Sequence, residues 1–108
     1  MNVFSKKRKT RDKKTNAINR GIREEKRIAK RRGCKHVGGP GQPDFICPNG
    51  TTGEVKARKT KVTQPELKKY GQNGIGEVHS EAGFTRQAVD YRNRYRPNMT
   101  LFQGRKSI

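Results

Sequence analysis

The 108-residue chain has no tryptophan, only two cysteines, nine acidic residues and 6% aromatics, and it contains no long apolar run. Each scarcity excludes something. A membrane-spanning helix needs about 20 consecutive apolar residues, and no apolar signal segment follows the basic start. The chain is therefore expected to be soluble and intracellular, cytoplasmic or nucleoid-associated in a cellular, viral or plasmid-encoded setting, and nuclear in a eukaryote. Cys34 and Cys47 are too few for a disulfide framework and stand in a strongly basic chain, which predicts free thiols in a reducing compartment. Cys34, His36, Cys47 and His79 match no zinc-ligand spacing and read as two buried thiols and two surface imidazoles. With 28% apolar residues, a lone copy buries a thin core, which predicts a homodimer.

What is abundant is positive charge. The 27 Lys and Arg against nine acids give a net charge of +18, a self-repulsion that binding a polyanion offsets. Nucleic acid is the expected partner and a membrane is not. Residues 1–35 hold 15 Lys/Arg against 3 acids, so the charge is concentrated at the N-terminus. Residues 1–15 carry Lys6, Lys7, Arg8, Lys9, Arg11, Lys13 and Lys14 with almost no apolar content. They are expected to form a disordered arm that grips DNA phosphates, although a targeting signal has the same composition.

Residues 16–108 are expected to form one folded domain. Ala17, Ile18, Ile22, Ile28 and Ala29 recur at helical spacing over 16–32, and Gly33 supplies the stop. On that helix Glu25 shares a face with Ile18, Ile22 and Ala29, whereas Glu24 lies off it. Strands are predicted at 35–37, 44–47, 52–58, 75–79 and 99–103, with a Pro48-Asn49-Gly50 turn making a hairpin of the second and third. A short helix from Pro65 and a helix from Thr85 to Tyr95 complete the order. This pattern predicts an α/β fold, a central mixed β-sheet flanked by helices.

Within this frame, Pro43-Asp44 ends a glycine-rich loop and Glu54-Val55-Lys56 lies on the next strand. Strand alternation puts Glu54 and Lys56 on one face, and the hairpin brings Asp44 alongside. Two converging carboxylates suit Mg²⁺, with Mn²⁺ as a substitute, and an adjacent lysine can orient water or steady charge on a phosphate. The plainer reading is an exposed Glu–Lys pair beside an ordinary turn aspartate. The basic context favours the first. Arg58, Lys59, Lys61, Lys68 and Lys69 lie near the carboxylates in sequence and are expected to contact phosphate. Tyr70, Tyr91 and Tyr95 read as core or interface rather than as base-stacking platforms.

These residues resemble the PD-(D/E)xK superfamily of restriction-endonuclease-like nucleases, over about residues 19–102. The resemblance implies a metal held by Asp44, Glu54 and the Val55 carbonyl, and a catalytic role for Lys56. Archaeal Holliday junction resolvases carry a further metal-site glutamate on the first helix, which maps onto Glu25, or onto Glu24 if the helical phase is shifted by one. The same stretch is similar to VRR-NUC nucleases, whose glutamine after the lysine maps onto Gln64. Gly83-Phe84-Thr85-Arg86-Gln87-Ala88 is similar to a segment of methylation-dependent restriction endonucleases, which often have glutamine where this chain has Glu54. The implied function is a Mg²⁺-dependent endonuclease acting on branched DNA, such as a four-way junction. A nuclease of restriction, repair or phage type acting on duplex or flap DNA is the alternative, and a non-catalytic basic nucleic-acid binder is the third reading.

Overall fold

The structure is a computed structural model that describes the backbone of Asn2–Ile108 and the side chains of residues 16–108. Its elements are helix α1 (Asn2–Arg31), strands β1 (Lys35–His36), β2 (Phe45–Ile46) and β3 (Thr52–Lys56), helix α2 (Gln64–Gln72), strand β4 (Glu77–Ser80), helix α3 (Arg86–Tyr95), and strands β5 (Thr100–Gln103) and β6 (Lys106–Ser107). All the strands join in one six-stranded sheet ordered β1-β2-β3-β4-β5-β6. The pairs β3–β4 and β4–β5 are parallel, and the other three are antiparallel. The expected mixed sheet flanked by helices is present. The final strand β6 was not expected; it forms because Gly104, at φ +63, turns the chain back on β5.

Helix α1 begins at Asn2, not near residue 16, so its backbone takes in the segment expected to be a disordered arm. Lys and Arg are good helix formers, and a helix already nucleated lengthens at little cost per residue. The phosphate-gripping role expected of Lys6, Lys7, Arg8, Lys9, Arg11, Lys13 and Lys14 lies outside the described side chains.

Two apolar clusters sandwich the sheet. On one face Leu67 of α2 and Ala88 of α3 pack with Val62, Val78 and Leu101. On the other, Ile28 and Ala29 of α1 pack against Phe45 and Val55. Burial requires a vacancy across the hairpin: Phe45 pairs with Gly53, and a methyl group built on Gly53 would overlap the Phe45 ring. Helix α3 is capped as its sequence predicts, the Thr85 hydroxyl accepting the Ala88 N–H at 3.2 Å. Ile18 and Ile22, by contrast, are 63% and 37% exposed, because the sheet ends beneath the C-terminal part of α1 and leaves that stripe uncovered.

Two expectations are corrected. Cys34 and Cys47 are joined in a disulfide, with Cα atoms 4.1 Å apart. The antiparallel pair Lys35–Ile46 sets them directly opposite one another. The reducing compartment inferred from free thiols loses that support. His79 is buried, at 2% exposure, rather than a surface imidazole. It stacks on Phe102 at 4.4 Å and pairs with Glu77 at 2.8 Å. Of the tyrosines expected in the core or an interface, Tyr95 is 62% exposed, whereas Tyr70 and Tyr91 pack against the core. Arg32 closes the His79 network by donating to both Glu77 oxygens at 2.7 and 3.2 Å, fastening the end of α1 to β4. Burial acts to raise the Glu77 carboxyl, but His79 and Arg32 prevail and hold it at about 2. Among the described residues, no helix is long and apolar enough to cross a membrane.

Candidate active site

The β2–β3 hairpin sets the first two side chains. One step beyond the Phe45–Gly53 pair, Asp44 and Glu54 stand where the two strands part. The Asp44 backbone is fixed on both sides, its N–H donating to the Gly53 carbonyl and its own carbonyl accepting from the Val37 N–H, each at 2.9 Å. Its Oδ2 accepts the Val55 N–H at 2.7 Å. Glu54 and Lys56 point to the same face of β3, that of Val78 and Ser80 in the parallel register, whereas Val55 faces α1. The Lys56 Nζ lies 3.4 Å from Glu54 Oε1.

Glu25 approaches from α1. Its Oε1 lies 3.0 Å from Nε2 of His36, and it borders Gly38, whose φ of +66 lets the loop bend tightly past the imidazole. Its neighbour Glu24 is engaged elsewhere, in a 2.7 Å pair with Arg27 that lowers its pKa. The helical phase therefore brings Glu25 toward the hairpin and not Glu24, as the apolar stripe implied.

The electrostatics follow from packing carboxylates together away from water. Burial pushes Asp44 up to about 7, against the opposing Val55 N–H, and the negative charges of Glu54 and Glu25 add to the rise. Burial likewise raises Glu54, with Lys56 opposing and Glu25 adding. For Lys56, burial favours the neutral amine, but the Tyr70 phenol and the Glu54 carboxylate outweigh it, so its pKa is raised and it remains an ammonium.

Glu54 and Lys56 line an open cleft of about 680 Å³ between β3 and α2, together with Gln42, Lys69, Tyr70 and Asn73. Sequence reasoning missed Tyr70 and Gln42 in the cleft, and His36, which lies outside it and meets Glu25. Gln42 directly precedes Pro43-Asp44, and His36 ends β1, but only the fold gives either position meaning. Gln64, expected at the site, opens α2 and does not line the cleft; Glu66 lines it instead. One turn into the helix, Glu66 accepts the Thr63 N–H at 3.1 Å. It also receives Arg58 at 2.6 and 2.7 Å, which ties up a guanidinium expected to meet phosphate. Lys69 lines the cleft, whereas Lys59, Lys61 and Lys68 are exposed and do not line it.

Among the described residues, no three His, Cys, Asp or Glu side chains stand close enough together to hold a metal ion. Asp44 and Glu54 nevertheless form a hard oxygen donor pair, raised in pKa first by burial and then by the neighbouring carboxylates. That donor set fits Mg²⁺, which commonly takes one or two carboxylates and keeps several waters. No family model, no curated protein and no solved structure matches this chain.

Proposed function

We propose that this protein is a Mg²⁺-dependent DNA endonuclease of the PD-(D/E)xK type. The observation that supports it most is the convergence of Asp44 and Glu54 at the open end of the β2–β3 hairpin, with Lys56 at 3.4 Å from Glu54 and Glu25 close enough to act on both acids. The net charge of +18 is the second support, since a phosphate polymer is the ligand such a surface attracts.

Mg²⁺, or Mn²⁺ in its place, held by Asp44, Glu54 and the Val55 carbonyl with Glu25 alongside, would polarise the scissile phosphodiester and acidify an attacking water. The protein's own part is positional and electrostatic. Asp44 is held by three hydrogen bonds through its N–H, carbonyl and Oδ2, so its carboxylate offers one fixed direction. Lys56 remains charged, so it donates to the substrate or the nucleophile and steadies developing negative charge instead of removing a proton. Lys69 in the cleft and the exposed Lys59, Lys61 and Lys68 beyond it are the cations available to hold the phosphate backbone. These contacts read phosphate and shape, not base edges, which suits branched DNA presented to two copies of the chain.

The test is purified protein with Mg²⁺ on junction, flap, duplex and single-stranded DNA of equal length. Asp44→Asn, Glu54→Gln and Lys56→Ala are each expected to lose at least ~100-fold in cleavage rate with DNA affinity kept. Cutting at the wild-type rate by these variants would remove the active-site assignment and leave a nucleic-acid binder. Cleavage confined to the junction would identify the preferred substrate.

A further inference from the structure

The cleft contains an aromatic residue that both packs on the core and stands beside the lysine. Tyr70 lies in the last turns of α2, and its backbone is anchored there, its carbonyl accepting the Asn73 and Ile75 N–H groups at 3.1 and 3.0 Å. One side of its ring packs on the buried cluster that contains Leu67 and Ile75. On the cleft side, the Lys56 Nζ stands 5.5 Å from the ring centroid, within the range of a cation–π contact. The same ammonium lies 3.4 Å from Glu54 Oε1, so it is held between a carboxylate and an aromatic face. A free lysine stem gives up as much as ~2 kcal/mol of rotamer entropy when fixed, and this two-sided contact offsets part of that cost. Burial raises the phenol's pKa, so Tyr70 presents a neutral hydroxyl and a π-face and adds no negative charge beside Glu54.

We propose that Tyr70 is a positioning residue for Lys56, its ring and hydroxyl holding the ammonium against Glu54 at the floor of the cleft. The proposal rests on the nuclease reading for its consequence in catalysis, but the Tyr70–Lys56 contact can be measured without it. Tyr70 acts through Lys56, so its loss lowers turnover and leaves DNA affinity intact.

The experiment compares Tyr70→Phe and Tyr70→Leu with the wild type in the full chain, using two readouts. Single-turnover cleavage with saturating Mg²⁺ and DNA is expected to fall about 3-fold in the phenylalanine variant and about 30-fold in the leucine variant, at unchanged DNA affinity. In the ¹³C-resolved NMR spectrum, the Lys56 ε-protons, assigned by their absence in Lys56→Arg, should carry a ring-current shift. The shift should persist with phenylalanine and vanish with leucine. Should the leucine variant fail to fold, the phenylalanine variant decides alone: the ring-current shift retained, with a reduced rate or a displaced Lys56 amine signal, supports the proposal. Lys56 signals without a ring-current shift, or Lys56 signals and rates unchanged in every folded variant, overturn it. If the wild type cuts no DNA, the nuclease reading fails while the Lys56 shift still decides the contact.

Discussion

An aspartate that is pushed up to about 7 by burial and by two neighbouring carboxylates is destabilising when ionised, and this gives Asp44 a measurable signature. Its folded pKa lies above the unfolded value of about 3.9. The stability that depends on its protonation is therefore complete below about pH 4 and is lost as pH rises through 7. Asp44→Asn removes that loss. In chelator at pH 8 the variant should melt about 5 °C above the wild type, a shift worth ~1 kcal/mol, and at pH 4 the difference should shrink to near zero. Adding Mg²⁺ at pH 8 should raise the melting temperature of the wild type and not of the variant. A wild type that gains nothing from Mg²⁺ while Asp44→Asn gains stability would show carboxylate crowding without a metal site. Glu25 belongs to the same account. Its charge bears on both acids, so Glu25→Gln should change the Mg²⁺ response more than Glu24→Gln, which loses only a pair with Arg27.

The hairpin is the element on which the site depends, and its register turns on one small residue. Phe45 is fully buried because Gly53, directly across the ladder, leaves room for its ring. Gly53→Ala should cost about 1–3 kcal/mol through overpacking. It should also displace Glu54, the next residue, so that Mg²⁺ affinity falls together with stability in denaturant titrations. A variant with wild-type stability would show that the ring escapes easily and that the pairing does not fix the site. The hairpin was legible in advance: Pro48-Asn49-Gly50 signalled the turn, and alternation put Glu54 beside Lys56. The strands proved shorter than the apolar pattern implied, because β2 contributes only Phe45 and Ile46 before the chain turns. The disulfide was not legible, since Cys34 and Cys47 lie 13 residues apart and only the pairing of β1 with β2 makes them neighbours.

At the scale of the whole molecule, charge and shape are unevenly shared. The sheet and its two clusters occupy one end, while α1 extends past them and leaves Ile18 and Ile22 exposed. Much of the positive charge lies in residues 1–35. Deleting residues 1–15 removes seven Lys and Arg, and if three or four of them meet phosphate at once, the log–log salt dependence of DNA binding should flatten by roughly three. Turnover at saturating DNA should hold, because Asp44, Glu54 and Lys56 lie outside the deletion. Affinities at several salt concentrations test the first part and single-turnover rates test the second. An unchanged slope would assign the segment to targeting, and a collapse of turnover would mean that it contributes to the site.

The sequence by itself determined the strong positive charge, which composition alone sets, and the turn, the caps and the pairing of Glu54 with Lys56, each of which depends on residues within a few positions of one another. Tertiary structure decided the rest. It paired Glu25 with His36, left Gln64 outside the cleft, and put Tyr70 of α2 against Lys56 of β3. It also turned His79 inward and joined Cys34 to Cys47. These outcomes depend on strand register and helix packing, which bring together residues far apart in the chain and which no local pattern encodes.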